Sequence, residues 1–237
     1  MRLITIRHGR PAWHSPRLIS LAAFERLSAH YDDAHLSEEG ARAVAALSGQ
    51  LPQVPILSSD LPRAHETAEA IADGKRAIVV DRLFREVPNT RIARGVLGRL
   101  WAPADLWAFV RRCFWIIGAG ECSEKPRAAW RRASRAGNEI LRHGTRQRDV
   151  VLVSHGWFLT VLALNLRWRG LIERGPLLPR VGHGAMTLYH LRPVVPVRSV
   201  SERGEIRHPA RPVAGSAGEG AYPAAQNPFC FRSIPPR

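Results

Sequence analysis

The chain has 237 residues, a formal net charge of +15, 45% apolar residues and 23% charged residues. These proportions suit a globular protein with a sizeable core and exclude a mostly disordered or fibrous chain. No apolar run approaches the roughly 20 residues that span a bilayer, and Leu3-Ile4-Thr5-Ile6 opens the chain without the pattern of a signal peptide, so no membrane partner is expected.

In chain order, Leu3–Ile6 is a short, continuous apolar run, and so are Val54–Leu57, Ala77–Val80, Val150–Val153 and Met186–Leu191. Such runs suit strands covered on both faces. Between them the pattern predicts helices over Ser37–Leu51, Pro62–Ala72, Ala104–Ile117, Lys125–Arg142 and Trp157–Trp168. Ser37 with Glu38 and Glu39 makes a capped start with acids in the first turn, and Pro62 suits a first helical position. The alternation predicts an α/β fold: one doubly wound, mostly parallel sheet with helices on both faces over residues 1–192. From about Pro193 to Arg237 the chain holds 8 of its 18 prolines and the stretch Gly-Ser-Ala-Gly-Glu-Gly, which reads as a disordered tail.

The charge has a particular make-up: only Lys75 and Lys125 are lysines, so arginine supplies 33 of the 35 basic residues. One reading is the codon choice of a GC-rich, bacterial genome. The other is an anionic ligand such as phosphate, which arginine's planar fork receives well. The arginines are scattered, and no helix-turn-helix spacing or RNA-binding aromatic motif accompanies them, so nucleic acid is not the expected partner. Cys113, Cys122 and Cys230 form no CxxC pair and no metal-ligand spacing. They point to a reducing, cytoplasmic setting, with neither a disulfide framework nor a metal centre expected.

In open α/β sheets, ligands bind beyond the carboxyl ends of the strands. The residues there are Arg7-His8-Gly9 after the first run, Ser58-Ser59-Asp60-Leu61-Pro62-Arg63-Ala64 after the second, Phe84-Arg85-Glu86 beyond the third and Ser154-His155-Gly156 after the fourth. Two histidines, two arginines and a glutamate are thereby aimed at one sheet edge. The tripeptide Arg-His-Gly recurs at Arg142-His143-Gly144, where it reads as a helix end with basic residues at the negative terminus and a glycine cap.

These motifs, with Leu36-Ser37-Glu38-Glu39-Gly40 opening the first long helix and His65-Glu66-Thr67-Ala68 extending the second, stand in the order found in the histidine phosphatase superfamily, also called phosphoglycerate mutase-like. The chain resembles that family over roughly residues 1–192. The resemblance implies a phosphorylatable nucleophile at His8, phosphate-binding roles for Arg7, Arg63 and His155, an acid at Glu86, and no cofactor.

The residue types suit that chemistry. A neutral imidazole attacks phosphorus, and guanidinium forks and a second imidazole surround the phosphoryl oxygens. Gly9 and Gly156 leave room for backbone near the phosphate. Glu86 protonates the leaving alkoxide and then activates water. Glu66 is the competing carboxylate, at a position where the family often places a residue without a catalytic role. The remaining histidines, His30, His35, His65, His183, His190 and His208, read as surface or capping residues.

Two positions depart from the family pattern: Pro11 stands where a hydroxyl is common, and His14 stands where asparagine is common, as a substitute phosphate donor or a solvent-facing residue. The departures weaken a mutase assignment. Pro16–Asp33, with Trp13, Phe24 and Tyr31, is expected to cap the pocket, and Asn89–Trp101 is a second candidate specificity segment. The expected function is a metal-independent phosphomonoesterase for a small phosphorylated metabolite. The alternatives are a phosphoglycerate mutase-type phosphotransferase and an inactive, basic anion- or nucleic-acid-binding protein.

Overall fold

The computed structural model describes residues 1–93 and 95–192. The tail expected over 193–237 lies outside the described residues. A six-stranded sheet is built from β1 (Arg2–Arg7), β3 (Ile56–Ser58), β4 (Ile78–Val80), β6 (Asp149–Ser154), β7 (Ile172–Arg174) and β8 (Met186–Leu191). The strand order is β4-β3-β6-β1-β8-β7. The first four are parallel, and β8 and β7 close one side antiparallel. The sheet is therefore mostly parallel, as the alternation of elements predicts.

Period-two alternation explains the continuous apolar runs, because successive side chains enter opposite layers. Leu3, Val150 and Leu152 pack on one face with Ala129, Ala133, Ala136 and Ile140 of α5 (Pro126–Gln147) and with Phe158 and Leu162 of α6 (Gly156–Trp168). Ile4, Ile6, Val151 and Val153 pack on the other with Val44 of α2 (Glu38–Ala45) and Ala64, Ala68 and Ile71 of α3 (Pro62–Ala72). Each fully buried Leu or Ile contributes about 1.5–3 kcal/mol relative to exposure. The alanines on α5, four and three residues apart, form a small-residue face that lets the long helix approach the sheet closely.

Two runs differ from expectation. Val79 and Val80 on β4 are 37% and 43% exposed, because β4 is the edge strand and lacks a neighbour on one side. In β8 burial alternates along the strand instead of being continuous. The copy Arg142-His143-Gly144 does not end its helix either. α5 continues to Gln147, and Arg148 supplies the left-handed residue at φ 61°. Gly144 is inside the helix, and the Met1 side chain fills the space a Cβ would need.

A second, two-stranded sheet pairs β2 (Leu18–Ser20) antiparallel with β5 (Trp101–Pro103). With α1 (Leu21–Ala29) and α4 (Ala104–Ile116) it surrounds a separate cluster of Ile19, Leu21, Ile92 and Trp107. The two expected specificity segments therefore fold against each other.

At the other side of the chain's first loop, Ser37 caps α2, its Oγ accepting from Gly40 N at 3.0 Å and donating to Arg10 O at 2.9 Å. Gly40 is buried, and a Cβ there would strike the Arg10 carbonyl and lie 2.9 Å from Arg10 N. Gly40→Ala is therefore expected to displace the Arg7–Arg10 loop and to lower unfolding free energy by about 1–3 kcal/mol. Urea denaturation checks this; unchanged stability would mean that α2 can slide away from the loop.

Candidate active site

The carboxyl ends of β1, β3 and β6 place Arg7, His8, Ser59 and His155 together, and the first turn of α3 adds Arg63. His8 is 2% exposed and its Nδ1 lies 2.8 Å from the Gly9 carbonyl. A carbonyl only accepts, so Nδ1 carries the proton and the lone pair of the neutral ring is on Nε2. Burial first, then the charge of Arg63, push His8 well below the usual imidazole range. Arg7 and His183 act in the same direction, and only the Gly9 hydrogen bond opposes them.

The His155 ring lies 5.2 Å from that of His8, centroid to centroid. Its Nε2 is 2.9 Å from Ser59 Oγ, and its Nδ1 is buried without a partner. Burial, then His8 and the two arginines, likewise push His155 well below the ordinary range. Burial thus favours the neutral form of both rings.

Arg63 is fully buried. Its Nη1 donates to the carbonyls of Tyr31 (2.7 Å) and Asp32 (3.2 Å), and its Nη2 to Asp32 Oδ1 (3.1 Å). The guanidinium also stacks 4.4 Å from the Tyr31 ring centre, and burial pushes that phenol up. The segment expected to cap the pocket thus grips a site arginine directly. Arg7 donates through Nη1 to Val181 O and through Nη2 to His183 Nε2 at 3.2 Å. The Nε atoms of both arginines are buried and unpartnered.

Three polar atoms on three elements are thus left without hydrogen bonds around one neutral imidazole. Buried polar groups are ordinarily satisfied, and these three stand together beside His8, whereas other unpartnered buried atoms, such as Asn165 Oδ1 and the Tyr189 hydroxyl, belong to residues elsewhere in the fold. Two guanidinium groups, one of them paired with Asp32, beside two neutral histidines make a donor-rich site that suits an anion.

Glu86 follows a short 3-10 turn whose first residues are held by Asp81, and its carboxylate reaches the start of α6. Oε1 accepts from Phe158 N and Val87 N, both at 2.8 Å, and Oε2 from Trp157 N at 3.2 Å. His155, the residue preceding α6, gives that helix no side-chain cap, so Glu86 caps it from another segment. Arg112 Nη2 lies 4.0 Å from Oε2. Glu66 faces elsewhere, bonded to His35 Nδ1 and to Leu36 N at 2.6 Å.

Several sequence expectations change. The space beside Gly9 is filled by Leu36, 2.7 Å from where a Cβ would be, and its N–H donates to Thr67 Oγ at 2.9 Å. Gly9 therefore serves packing and leaves no N–H for a phosphate. Gly156 does face the site, since a Cβ there would come within 3.3 Å of Arg7 Nε. His14 is exposed on the loop after β1. His183 is exposed, as expected, yet its ring lies 5.3 Å from that of His8. Ser59 and Thr67, to which the sequence pattern gives no separate role, hold His155 and the His8 loop. Not every arginine serves the site; Arg76, for instance, closes the carbonyls of Ile71, Ser48, Leu51 and Pro52.

The two neutral histidines carry a consequence for stability. Unfolded, each titrates near 6.5; folded, both are pushed lower. Below about pH 6.5 the unfolded chain binds more protons than the native one, so stability falls as pH falls, by up to one proton's slope per histidine. Melting temperatures between pH 7.5 and 5 test this in buffer without phosphate. Added phosphate should flatten the slope, and a flat profile without it would mean that His8 and His155 are already charged.

Residues 3–173 match the family described as histidine phosphatase superfamily (branch 1). Among solved structures, mycobacterial glucosyl-3-phosphoglycerate phosphatase is 25% identical, with 79% of this chain and 88% of that one covered and a TM-score of 0.50. The Mycobacterium tuberculosis open reading frame Rv3214 is 22% identical, covering 81% and 95% with a TM-score of 0.52. The Thermus thermophilus protein TTHB049 is 22% identical, covering 82% and 100% with a TM-score of 0.51. No curated protein matches the chain. Among the described residues no helix is long and apolar enough to cross a membrane.

Proposed function

Because the chain belongs to the histidine phosphatase superfamily, we propose that it is a phosphomonoesterase that hydrolyses a small phosphorylated metabolite through a phosphohistidine on His8. The observation that carries this reading is the ring of unpartnered buried atoms, Arg7 Nε, Arg63 Nε and His155 Nδ1, beside an imidazole with its lone pair on Nε2.

In the first step Nε2 of His8 attacks phosphorus and the P–O bond to the alcohol breaks. The two guanidinium groups and His155 hold the equatorial oxygens, where charge is spread in the transition state. Glu86 gives its proton to the departing alkoxide. In the second step Glu86 takes a proton from water as that water attacks phosphorus, the N–P bond breaks, and orthophosphate is released with His8 neutral again. The fixed guanidinium charges do the neutralising, so turnover is expected to persist in the presence of a chelator.

For the alcohol half, a cavity of about 550 Å³ shares Asp32 with the Arg63 clamp, and Asn89, Arg111, Glu121 and Ser123 also line it. Its mixed charges and polar groups suit a hydroxyl-rich or acidic alcohol better than an apolar one. The similarity to mycobacterial glucosyl-3-phosphoglycerate phosphatase supports testing phosphorylated glyceric acids and their glycosides.

The test is phosphate release from p-nitrophenyl phosphate with chelator present, followed by a panel of sugar phosphates, 3-phosphoglycerate and glucosyl-3-phosphoglycerate. His8→Ala serves as the blank. Interconversion of phosphoglycerates without phosphate release would make the protein a mutase instead. Salt-sensitive polyanion binding with no turnover would make it a binding protein.

A further inference from the structure

His183 stands on the loop between β7 and β8, and antiparallel pairing of β8 with β1 delivers that loop to the nucleophile. Gly184, at φ +69°, donates its N–H to the carbonyls of both Arg7 (3.0 Å) and His8 (3.1 Å). The same turn is closed by Ala185 N donating to Gly182 O at 3.1 Å, so the loop is fastened to the backbone on either side of His183. A guanidinium only donates, so the 3.2 Å contact with Arg7 Nη2 makes His183 Nε2 the acceptor and puts the ring proton on Nδ1. Val181 O of the same loop takes Nη1. Both outer nitrogens of Arg7 are thereby anchored by one loop, and its remaining nitrogen, Nε, lies against the start of α6, buried and unpartnered.

We propose that His183 is a positioning residue that acts through Arg7, its Nε2 lone pair fixing the guanidinium so that Nε meets the phosphoryl group. The proposal rests on the reading of the His8 centre as a phosphoryl site. A guanidinium on a flexible stem must otherwise lose rotamer freedom each time an anion binds. The loop removes that cost in advance, and it keeps a donor aimed where charge develops. The lone pair is dependable at ordinary pH, because partial desolvation of this exposed ring against the site, then Arg7, Arg10 and Arg63, push His183 down to about 4.

The experiment compares the parent protein with His183→Phe and His183→Gln. Phenylalanine keeps a ring and has no lone pair; glutamine carries an amide oxygen at about the reach of Nε2. The readouts are kcat and KM for p-nitrophenyl phosphate, the inhibition constant of inorganic phosphate, and the melting temperature. Misplacing a binding group by about 1 Å costs up to about 100-fold. H183F is therefore expected to lose tenfold or more in kcat/KM and to bind phosphate more weakly, while H183Q stays within about threefold of the parent. If H183F lowers the melting temperature, His183→Asn replaces it, being polar but too short to reach Nη2.

H183F equal to the parent would overturn the proposal, and so would H183Q falling as far as H183F. A parent that neither hydrolyses the ester nor binds phosphate would instead sink the reading of the site, and the role of His183 with it.

Discussion

Replacing His8 with alanine is expected to lower turnover of any phosphomonoester by at least about 10⁴-fold, the size of loss seen when a covalent nucleophile is removed. The substitution deletes one imidazole and its bond to Gly9 O, yet leaves Arg7, Arg63 and His155 in place. The anion site should therefore survive the loss of chemistry, and inorganic phosphate should still raise the melting temperature of the variant. In the parent, rapid quenching of the first turnover into alkali should trap an acid-labile N–P adduct on one histidine. In His8→Ala the adduct should be absent. Activity within tenfold of the parent would show that the phosphoryl group never visits His8, and water would then have to attack the substrate directly.

Much of this site was legible because it is local to strand ends. Arg7-His8-Gly9 and Ser154-His155-Gly156 each follow an apolar run that suits a strand buried on both faces, and parallel pairing of β1 with β6 sets Arg7 opposite Ser154. Pro62 and the Ser-Ser-Asp-Leu turn before it likewise fix where α3 begins and where Arg63 points. The histidine at position 183 carried no such sign. It follows Gly182 in an irregular loop, and only the long-range pairing of β8 with β1 brings it to the nucleophile.

The short strands β2 and β5 leave no mark in the sequence for a related reason. Each has three residues, too few for a period, and the partners are about eighty positions apart, so only tertiary packing defines them. Gly9 and Gly144 show the converse. A glycine beside a histidine invites a ligand or a cap, but a side chain, Leu36 or Met1, takes the space that each leaves. What a glycine makes room for is settled by its neighbours in space.

Glu86→Gln separates two jobs that the structure gives to one carboxylate. As the cap of α6 it needs acceptor oxygens for Phe158, Val87 and Trp157; as an acid it needs a proton to give away. Glutamine keeps one acceptor oxygen, which can serve Phe158 N and Val87 N. Its amide nitrogen then opposes the Trp157 N–H, donor against donor. Losing that part of a cap costs about 1 kcal/mol, visible as a small drop in melting temperature.

The chemical effect should be larger and should depend on the leaving group. An alkoxide departs poorly without a proton, so a sugar phosphate or phosphoglycerate should lose about 10²- to 10⁴-fold in kcat. p-Nitrophenolate is stable as an anion and gains little from proton donation, so the first step with that ester should slow by less than about tenfold. Measuring formation of the phosphohistidine, before any water is needed, isolates this step from the second one, where Glu86 acts as base. A similar loss with both esters in that burst phase would show that Glu86 matters only as the cap of α6, and the proton for the alcohol would have to come from another group.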